Sequence, residues 1–191
     1  MKINSISNHI RKIIALAVGI GLTFALPLTA DAASYLKFDG IDGEAQDERH
    51  EKWIDVLSVD WAIEKSSAEG ATGATRRVVV KDIVVTHELD KASPKLQEAC
   101  LTGAIIPGVE LELTRLFDNQ SNPTYLKYEL TNVRVTSIRM QADASGGDST
   151  PKMLITLNFE EIKVTYTQLD TDGNEVATSS TYLKIGDISG E

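Results

Sequence analysis

The amino-acid sequence predicts a mainly β fold, either a barrel or a sandwich of two packed sheets, with one short lateral helix. Three observations predict it. Long segments alternate apolar and polar residues with the period of a strand, turns rich in glycine and aspartate separate them, and one segment has helical spacing. The alternation also slips by one residue at two points, which is typical of strands that bend around a closed barrel.

Residues 1–32 have the composition of a secretory signal peptide. A basic start is followed by the apolar run 13–28 and by the small-x-small cleavage site Ala30-Asp31-Ala32. The apolar run is shorter than the roughly 20 residues of a membrane-spanning helix. We therefore expect cleavage after Ala32, export to the periplasm or beyond, no stable membrane insertion, and one domain at 33–191. An uncleaved anchor is the alternative.

The domain after this leader is strongly acidic. Residues 1–32 carry a net charge of +2 and the whole chain −9, so residues 33–191 carry −11. Such a surface does not neutralise phosphates, which argues against nucleic acid and anionic membranes as partners. The charge favours solubility and repels acidic partners.

The chain is expected to be organised around residues 35–63. A strand at 35–38 leads into a turn with two glycines, a polar run, and a long strand at 53–63. One face of that strand carries Ile54, Val56, Ser58, Asp60 and Ala62, and the other carries Asp55, Leu57, Val59, Trp61 and Ile63. Large apolar groups on both faces predict a strand that is partly enclosed on each side.

The middle of the chain predicts a loop, a strand and the helix. Residues 64–75 are small and polar and predict an exposed loop, and 76–87 are rich in β-branched residues. Ser93 is the expected N-cap of the helix, Pro94 its first residue, and Gly103 its left-handed C-terminal residue. The apolar stripe of this helix consists of Leu96, Ala99 and Cys100.

The second half predicts four strands, at 109–117, 124–140, 153–169 and 178–185. The apolar positions change phase near Thr131-Asn132 and again after Phe159. Each change predicts a bulge or a bend. Polar, turn-forming residues connect these strands, at 118–123, 144–151 and 170–174.

Three features of the sequence could suggest a metal site, but each is better explained as an ordinary structural feature. His50 and His87 lack a second histidine or cysteine at ligand spacing, so we expect no zinc site at either. His87 ends a strand beside Glu88 and Asp90 and is expected to be a surface or hydrogen-bonded structural histidine. Residues 170–174 hint at a calcium loop, but the glycine comes too early and a hairpin turn is expected. The acidic run 42–51 is expected to be a solvated loop.

The sequence favours a protein without catalytic function or cofactor. It has no G-x-S-x-G motif, no phosphate-cradling glycine loop and no dinucleotide fingerprint. Its lone cysteine, Cys100, excludes an internal disulfide and is expected to be buried and inert. The alternatives for this thiol are an intermolecular contact or a nucleophile paired with His87.

Four blocks in a fixed order carry a resemblance to a known family. They are YLKFDGIDGE with WIDVLSVDWAI within 35–63, KDIVVTHELDKASPKL at 81–96, YLKYELTNVRVTSI at 125–138 and LITLNFEEIKVTY at 154–166. Together they resemble the haemolysin-coregulated protein (Hcp) family, the tube-forming proteins of type VI secretion. The resemblance spans roughly the whole chain after residue 34.

The resemblance implies a compact β-barrel with a lateral helix. It also implies that six copies close into a ring with a wide pore, and that rings stack into a tube that carries small effector proteins in its lumen. The loop that corresponds to 64–75 helps one ring dock on the next. Family members assemble in the cytoplasm, so the signal peptide is a departure.

The expected function is a non-enzymatic, exported, ring-forming Hcp-like protein, a tube component or effector of type VI secretion. The first alternative is a secreted monomeric binding module that reuses this fold. The second is a small secreted hydrolase with an unrecognised site.

Overall fold

A computed structural model describes residues 33–65, 78–118, 121–142 and 150–188. Its elements, in chain order, are β1 (Ser34–Phe38), β2 (Ile54–Asp60), β3 (Ile63–Lys65), β4 (Val78–Val80), β5 (Ile83–Glu88), α1 (Ser93–Thr102), β6 (Ile106–Thr114), β7 (Thr124–Gln141), β8 (Lys152–Asn158), β9 (Glu161–Leu169), β10 (Glu175–Lys184) and α2 (Ile185–Ile188). None of the helices in these ranges has the length and apolar character needed to cross a membrane.

Six antiparallel strands close into a barrel. They follow one another in the order β7-β6-β1-β2-β5-β8, and pairing of β8 with the second half of β7 closes the circle. Strands β9 and β10 extend the sheet outward from the first half of β7, and β3 and β4 form a separate two-stranded sheet. The predicted mainly β barrel with one lateral helix is thereby confirmed.

Strand β7 pairs with β6 along one edge and with two different strands, β9 and β8, along the other, because it bends at Asn132. Its residues 126–131 pair with β9, and its residues 134–141 pair with β8. Asn132 has a positive φ of 52°, which is uncommon for a residue other than glycine. The bend divides one long strand between the barrel and its outward extension.

The neighbouring strand bends at the same place. Glu160 lies between β8 and β9; its amide N–H donates to the carbonyl of Thr131 at 3.1 Å. The Asn132 Nδ2 donates in turn to the Glu160 Oε2 at 2.9 Å. The two predicted phase changes are confirmed, and they form one bend shared by neighbouring segments. The single strand predicted at 153–169 is therefore two strands.

The long strand predicted at 53–63 is also interrupted. The register of β2 against β5 shifts between Val56 and Ser58, and β2 ends at Asp60. Before the bulge, Ile54 and Val56 face the core. The bulge shifts the alternation by one residue, so beyond it Val59 and Trp61 face the core instead. The predicted grouping of Ser58 and Asp60 with Ile54 is wrong, since both are exposed.

The predicted strand 76–87 is interrupted in the same region. The structure places β4 and β5 on either side of Lys81-Asp82. The carbonyl of Lys81 accepts a hydrogen bond from the Trp61 Nε1 at 3.0 Å, and its N–H donates to the carbonyl of Ala62 at 3.0 Å. These bonds connect the break after β2 to the break between β4 and β5.

The interior of the barrel is filled by apolar side chains from its six strands and from α1. Full burial of such a side chain stabilises the fold by about 1.5–3 kcal/mol. Ile162 of the adjoining strand β9 also belongs to this core. The largest of its fully buried side chains are Leu36, Ile54, Ile83, Leu96, Leu111, Met153, Ile155, Leu157 and Ile162. The helix therefore covers part of the barrel through Leu96, as the apolar stripe predicted.

The start of α1 differs from the prediction. Ser93 is not the N-cap: Ala92 occupies that position and makes no side-chain capping bond. Asp90 forms the turn instead, because its Oδ1 accepts from the Ala92 N–H and from the Ser93 Oγ, both at 3.1 Å. The end of α1 is as predicted, since Gly103 has a φ of 67° and donates to the Ala99 carbonyl.

Cys100 is half-buried rather than fully buried. It packs against the edge of the core, while the buried side of α1 consists of Ser93, Leu96 and Ala99.

Three predictions concern residues that lie wholly or mostly outside the described ranges. The predicted loop 64–75 begins in β3 and, from residue 66, lies outside the described residues, as do the leader 1–32 and most of the loop 144–151.

We predict that Asn132→Ala destabilises the domain by about 1 kcal/mol, because alanine is strained at positive φ and cannot bond to Glu160. Asn132→Gly keeps the backbone freedom and loses the side-chain bond alone, so it should cost less. Urea unfolding followed by circular dichroism measures both. Equal stability of the alanine variant and the native protein would contradict the assignment of the bend to Asn132.

Candidate assembly surface

The β9–β10 hairpin extends beyond the barrel and ends in an open strand. Strand β10 pairs with β9 along its length, and in the described part of the chain its other edge has no paired strand. Apart from Leu183, every residue of β10 is exposed. An open edge of this length presents unpaired backbone groups to a strand of another chain.

The predicted hairpin turn at 170–174 is present, and hydrogen bonds within the turn satisfy its Asp170 carboxylate. The Asp170 Oδ1 accepts from the Asp172 and Asn174 N–H groups at 2.9 and 2.8 Å, and the Oδ2 accepts from the Asn174 Nδ2 at 3.0 Å. The bonds from Asn174 hold the pKa of Asp170 below its ordinary value. Both oxygens of the Asp170 carboxylate are therefore engaged in hydrogen bonds within the turn. Across the described residues, no three His, Cys, Asp or Glu side chains form a cluster able to hold a metal.

A groove of about 1160 Å³ lies beside this hairpin. The side chains that give it apolar and aromatic character are Phe117, Tyr125, Tyr166, Leu169 and Val176. Tyr166 and Val176 are 51% and 58% exposed. Large exposed apolar groups next to an open strand edge are typical of a protein interface.

A second apolar surface lies across the barrel from the hairpin. In the barrel order, β2 is three strands away from β7 in either direction, so the two strands lie on opposite sides. Leu57 of β2 and Ile63 of β3 are 51% and 49% exposed. Exposed apolar side chains thus occur both beside the hairpin and on β2 and β3; others in the described residues are Leu89, Leu101, Ile105 and Met140.

The outer face of the sheet between these surfaces carries paired charges. The Lys37 and Lys127 Nζ atoms lie 3.3 and 2.5 Å from Glu110. Lys127 also lies 3.1 Å from Glu112, and the Lys163 Nζ lies 2.7 Å from Glu129. Burial would raise the pKa of Glu110, but hydrogen bonds and charge from its lysine neighbours outweigh burial and lower it. Each such pair contributes about 0–1 kcal/mol to stability. Their main effect is to neutralise this face of an acidic domain.

His50 fastens the segment 44–52 to the barrel. It is 2% exposed, and its ring stacks on Tyr35 with centroids 3.9 Å apart. Its Nδ1 lies 2.6 Å from Asp47 and its Nε2 lies 3.1 Å from Glu112. Both nitrogens donate to these carboxylates only when both carry a proton. The predicted structural role fits this geometry, although the distant partner Glu112 has no signal in the sequence around His50.

His87 is a buried histidine of a different kind. Its side chain is fully buried, and neither ring nitrogen has a hydrogen-bond partner in the described part of the chain. The sequence-based expectation of a surface or hydrogen-bonded histidine is therefore wrong, because His87 points into the closed barrel region rather than to solvent. Burial lowers the pKa of His87, and the Asp90 carboxylate, 4.0 Å away, opposes that shift more weakly. No hydrogen bond links it to Cys100, so the structure does not join these two residues into a nucleophile and base.

We predict that His87→Leu flattens the acid dependence of stability between pH 7 and 5. Because the folded pKa lies below the ordinary value of about 6.5, the unfolded chain binds more protons there and native stability falls as the pH drops. Leucine removes that proton uptake and two unpaired nitrogens, so stability at pH 7 should stay equal or rise.

Urea unfolding at several pH values measures this effect, and His50→Leu is the matched control. That variant should lose stability at pH 7, because it leaves the Asp47 and Glu112 carboxylates without their buried partner. An acid dependence unchanged in His87→Leu would contradict the assignment to His87.

Comparison with known proteins agrees with this architecture. The family model "Type VI secretion system effector, Hcp" matches residues 35–166. Protein hcp1 of Pseudomonas aeruginosa is 31% identical over 141 residues, which cover 73% of this chain and 85% of that protein. The resemblance inferred from the four sequence blocks is confirmed.

Solved structures agree as well. A type six secretion system protein gives a TM-score of 0.74 at 27% identity, over 83% of this chain and 98% of that one. Hcp1 from Salmonella typhimurium gives 0.67 at 29% identity, over 83% and 97%. Hcp proteins are structural and secreted proteins rather than enzymes. With a family model over most of its barrel and relatives matched over nearly their full length, the chain belongs to the Hcp family of type VI secretion proteins.

Proposed function

We propose that residues 33–191 form a six-membered ring outside the inner membrane and act there as a non-enzymatic tube component or effector-like protein. The observation that carries this proposal is the open strand β10, with exposed apolar groups beside it and a different apolar surface on the opposite side of the barrel. Hcp proteins in general oligomerise into rings.

The position of the two surfaces favours a ring over a symmetric dimer. A contact between two different surfaces leaves one of each free, so copies continue to add until the rotation closes. The β9–β10 hairpin supplies one surface, and the side of the barrel with Leu57 and Ile63 supplies the other. The number six, the wide pore and the cargo of small effector proteins come from the family.

The paired charges support close association of acidic subunits. The domain carries a net charge of −11, which opposes bringing copies together. The lysines of the outer sheet face are already matched to Glu110, Glu112 and Glu129, so the excess negative charge lies elsewhere. Salt screens that remaining repulsion. Ring stability should therefore increase with ionic strength.

Export is the second part of the proposal, and the leader 1–32 supports it. A basic start, an apolar run and Ala30-Asp31-Ala32 are the three parts of a cleavable signal. The alternative of a secreted monomeric module is less favoured, because a long open edge beside exposed Tyr166 and Val176 is an aggregation hazard for a monomer.

We predict that residues 33–191 have about six times the monomer mass in light scattering, with a larger hexamer fraction at higher salt. The paired change Val176→Asp and Tyr182→Asp should give a folded monomer, because both side chains are 58% exposed in one chain. The control is the paired change Lys95→Asp and Gln97→Asp: both residues are polar and exposed on α1, outside the two proposed surfaces, so the ring should persist. A clean monomer of the unaltered domain at micromolar concentration and moderate salt would refute the ring.

We predict that protein exported by its native host begins at Ala33, because the small residues of Ala30-Asp31-Ala32 suit a signal peptidase. Mass spectrometry of the extracytoplasmic fraction measures the N-terminus. Protein with its leader intact in the soluble part of that fraction would overturn the export proposal.

A further inference from the structure

The first residue after the predicted cleavage site is already part of the barrel. The carbonyl of Ala33 accepts two hydrogen bonds from Thr114, one from the N–H at 2.8 Å and one from the Oγ1 at 3.1 Å. Thr114 is fully buried at the end of β6. Ala33 is thus held by a residue that solvent does not reach.

The next two residues are held on both sides. Ser34 pairs with Val56 of β2 and with Leu113 of β6, so β1 is a central strand from its first residue. Tyr35 is 6% exposed, and its ring stacks on His50. No spare residue separates the predicted cleavage site from the paired part of β1.

A peptidase binds the residues on both sides of the bond it cuts in an extended form in its own cleft. On the carboxyl side of the Ala32–Ala33 bond these residues are Ala33, Ser34 and Tyr35, whose backbone groups and side chains are engaged within the barrel. Cleavage of a folded chain is limited by the fraction of molecules in which that segment is open. Because β1 lies between β2 and β6, opening its start disrupts the barrel itself.

We propose that the leader is removed only while β1 is unpaired, so that the barrel, and any ring built from it, forms after the chain has crossed the membrane. This inference rests on the proposed export of the protein. It deepens that proposal by fixing the order of events, in which transport and cleavage come first and folding and assembly follow.

The test compares cleavage of full-length chains by a purified bacterial signal peptidase in detergent, followed by mass spectrometry. One variant inserts six glycine and serine residues between Ala33 and Ser34, which releases the cleavage site from β1. Its matched control inserts the same six residues after Thr171, in the exposed hairpin turn. A third variant, Ile155→Asp, places a charge in the core far along the chain from the site and prevents folding, as circular dichroism will verify.

We expect the native chain and the Thr171 insertion to be cut about a hundredfold more slowly than Ile155→Asp. The insertion after Ala33 should be cut at nearly the rate of Ile155→Asp although it is folded. Native chain cut as fast as the Ala33 insertion would overturn this inference and leave the export proposal intact. If neither the Ala33 insertion nor Ile155→Asp is cut, the leader is not a signal peptide, and the export proposal fails together with the inference.

Discussion

The architecture depends on the hydrogen-bonded bend at Asn132 and Glu160. One long strand cannot both close a barrel and continue a sheet away from it unless its direction changes between the two partners. The positive φ of Asn132 and its bond to Glu160 make that change in two neighbouring segments at once. Strand β8 then closes the barrel, and β9 leaves it. Without the bend, the hairpin that presents the open strand β10 has no support.

The two sides of the barrel have different roles because of this geometry. Every strand of the closed barrel pairs with a neighbour on each side, so the barrel itself has no open strand edge that could pair with another chain. The hairpin reintroduces an edge on one side, and the exposed Leu57 and Ile63 lie on the other. The matched lysines and glutamates on the outer sheet face reduce the local repulsion that a strongly acidic domain meets on association. Membership of the Hcp family gives this arrangement its biological setting, since ring formation is general in that family.

The two buried histidines affect the fold in different ways. His50 lies between two carboxylates and an aromatic ring, and it attaches a polar segment to the barrel. His87 is fully buried, and burial lowers its pKa against the weaker opposing effect of Asp90. Among the described residues, neither histidine is part of a cluster of three His, Cys, Asp or Glu side chains that could hold a metal. His50 helps to hold β1, because its ring stacks on Tyr35.

The sequence by itself determined the fold class, the family, the left-handed end of α1 at Gly103 and both phase changes, because these follow from local period, local turn chemistry and recognisable sequence blocks. It also determined the hairpin turn at 170–174, whose hydrogen bonds join residues within a few positions of one another. Only the tertiary structure decided that the two phase changes form one bend, that Leu57 sits at a bulge, and that Asp90 displaces Ser93 from its expected role. The physical reason is the distance along the chain: Asn132 meets Glu160, His50 meets Glu112, and Ala33 meets Thr114 only after the barrel has closed, and no local pattern encodes those pairings.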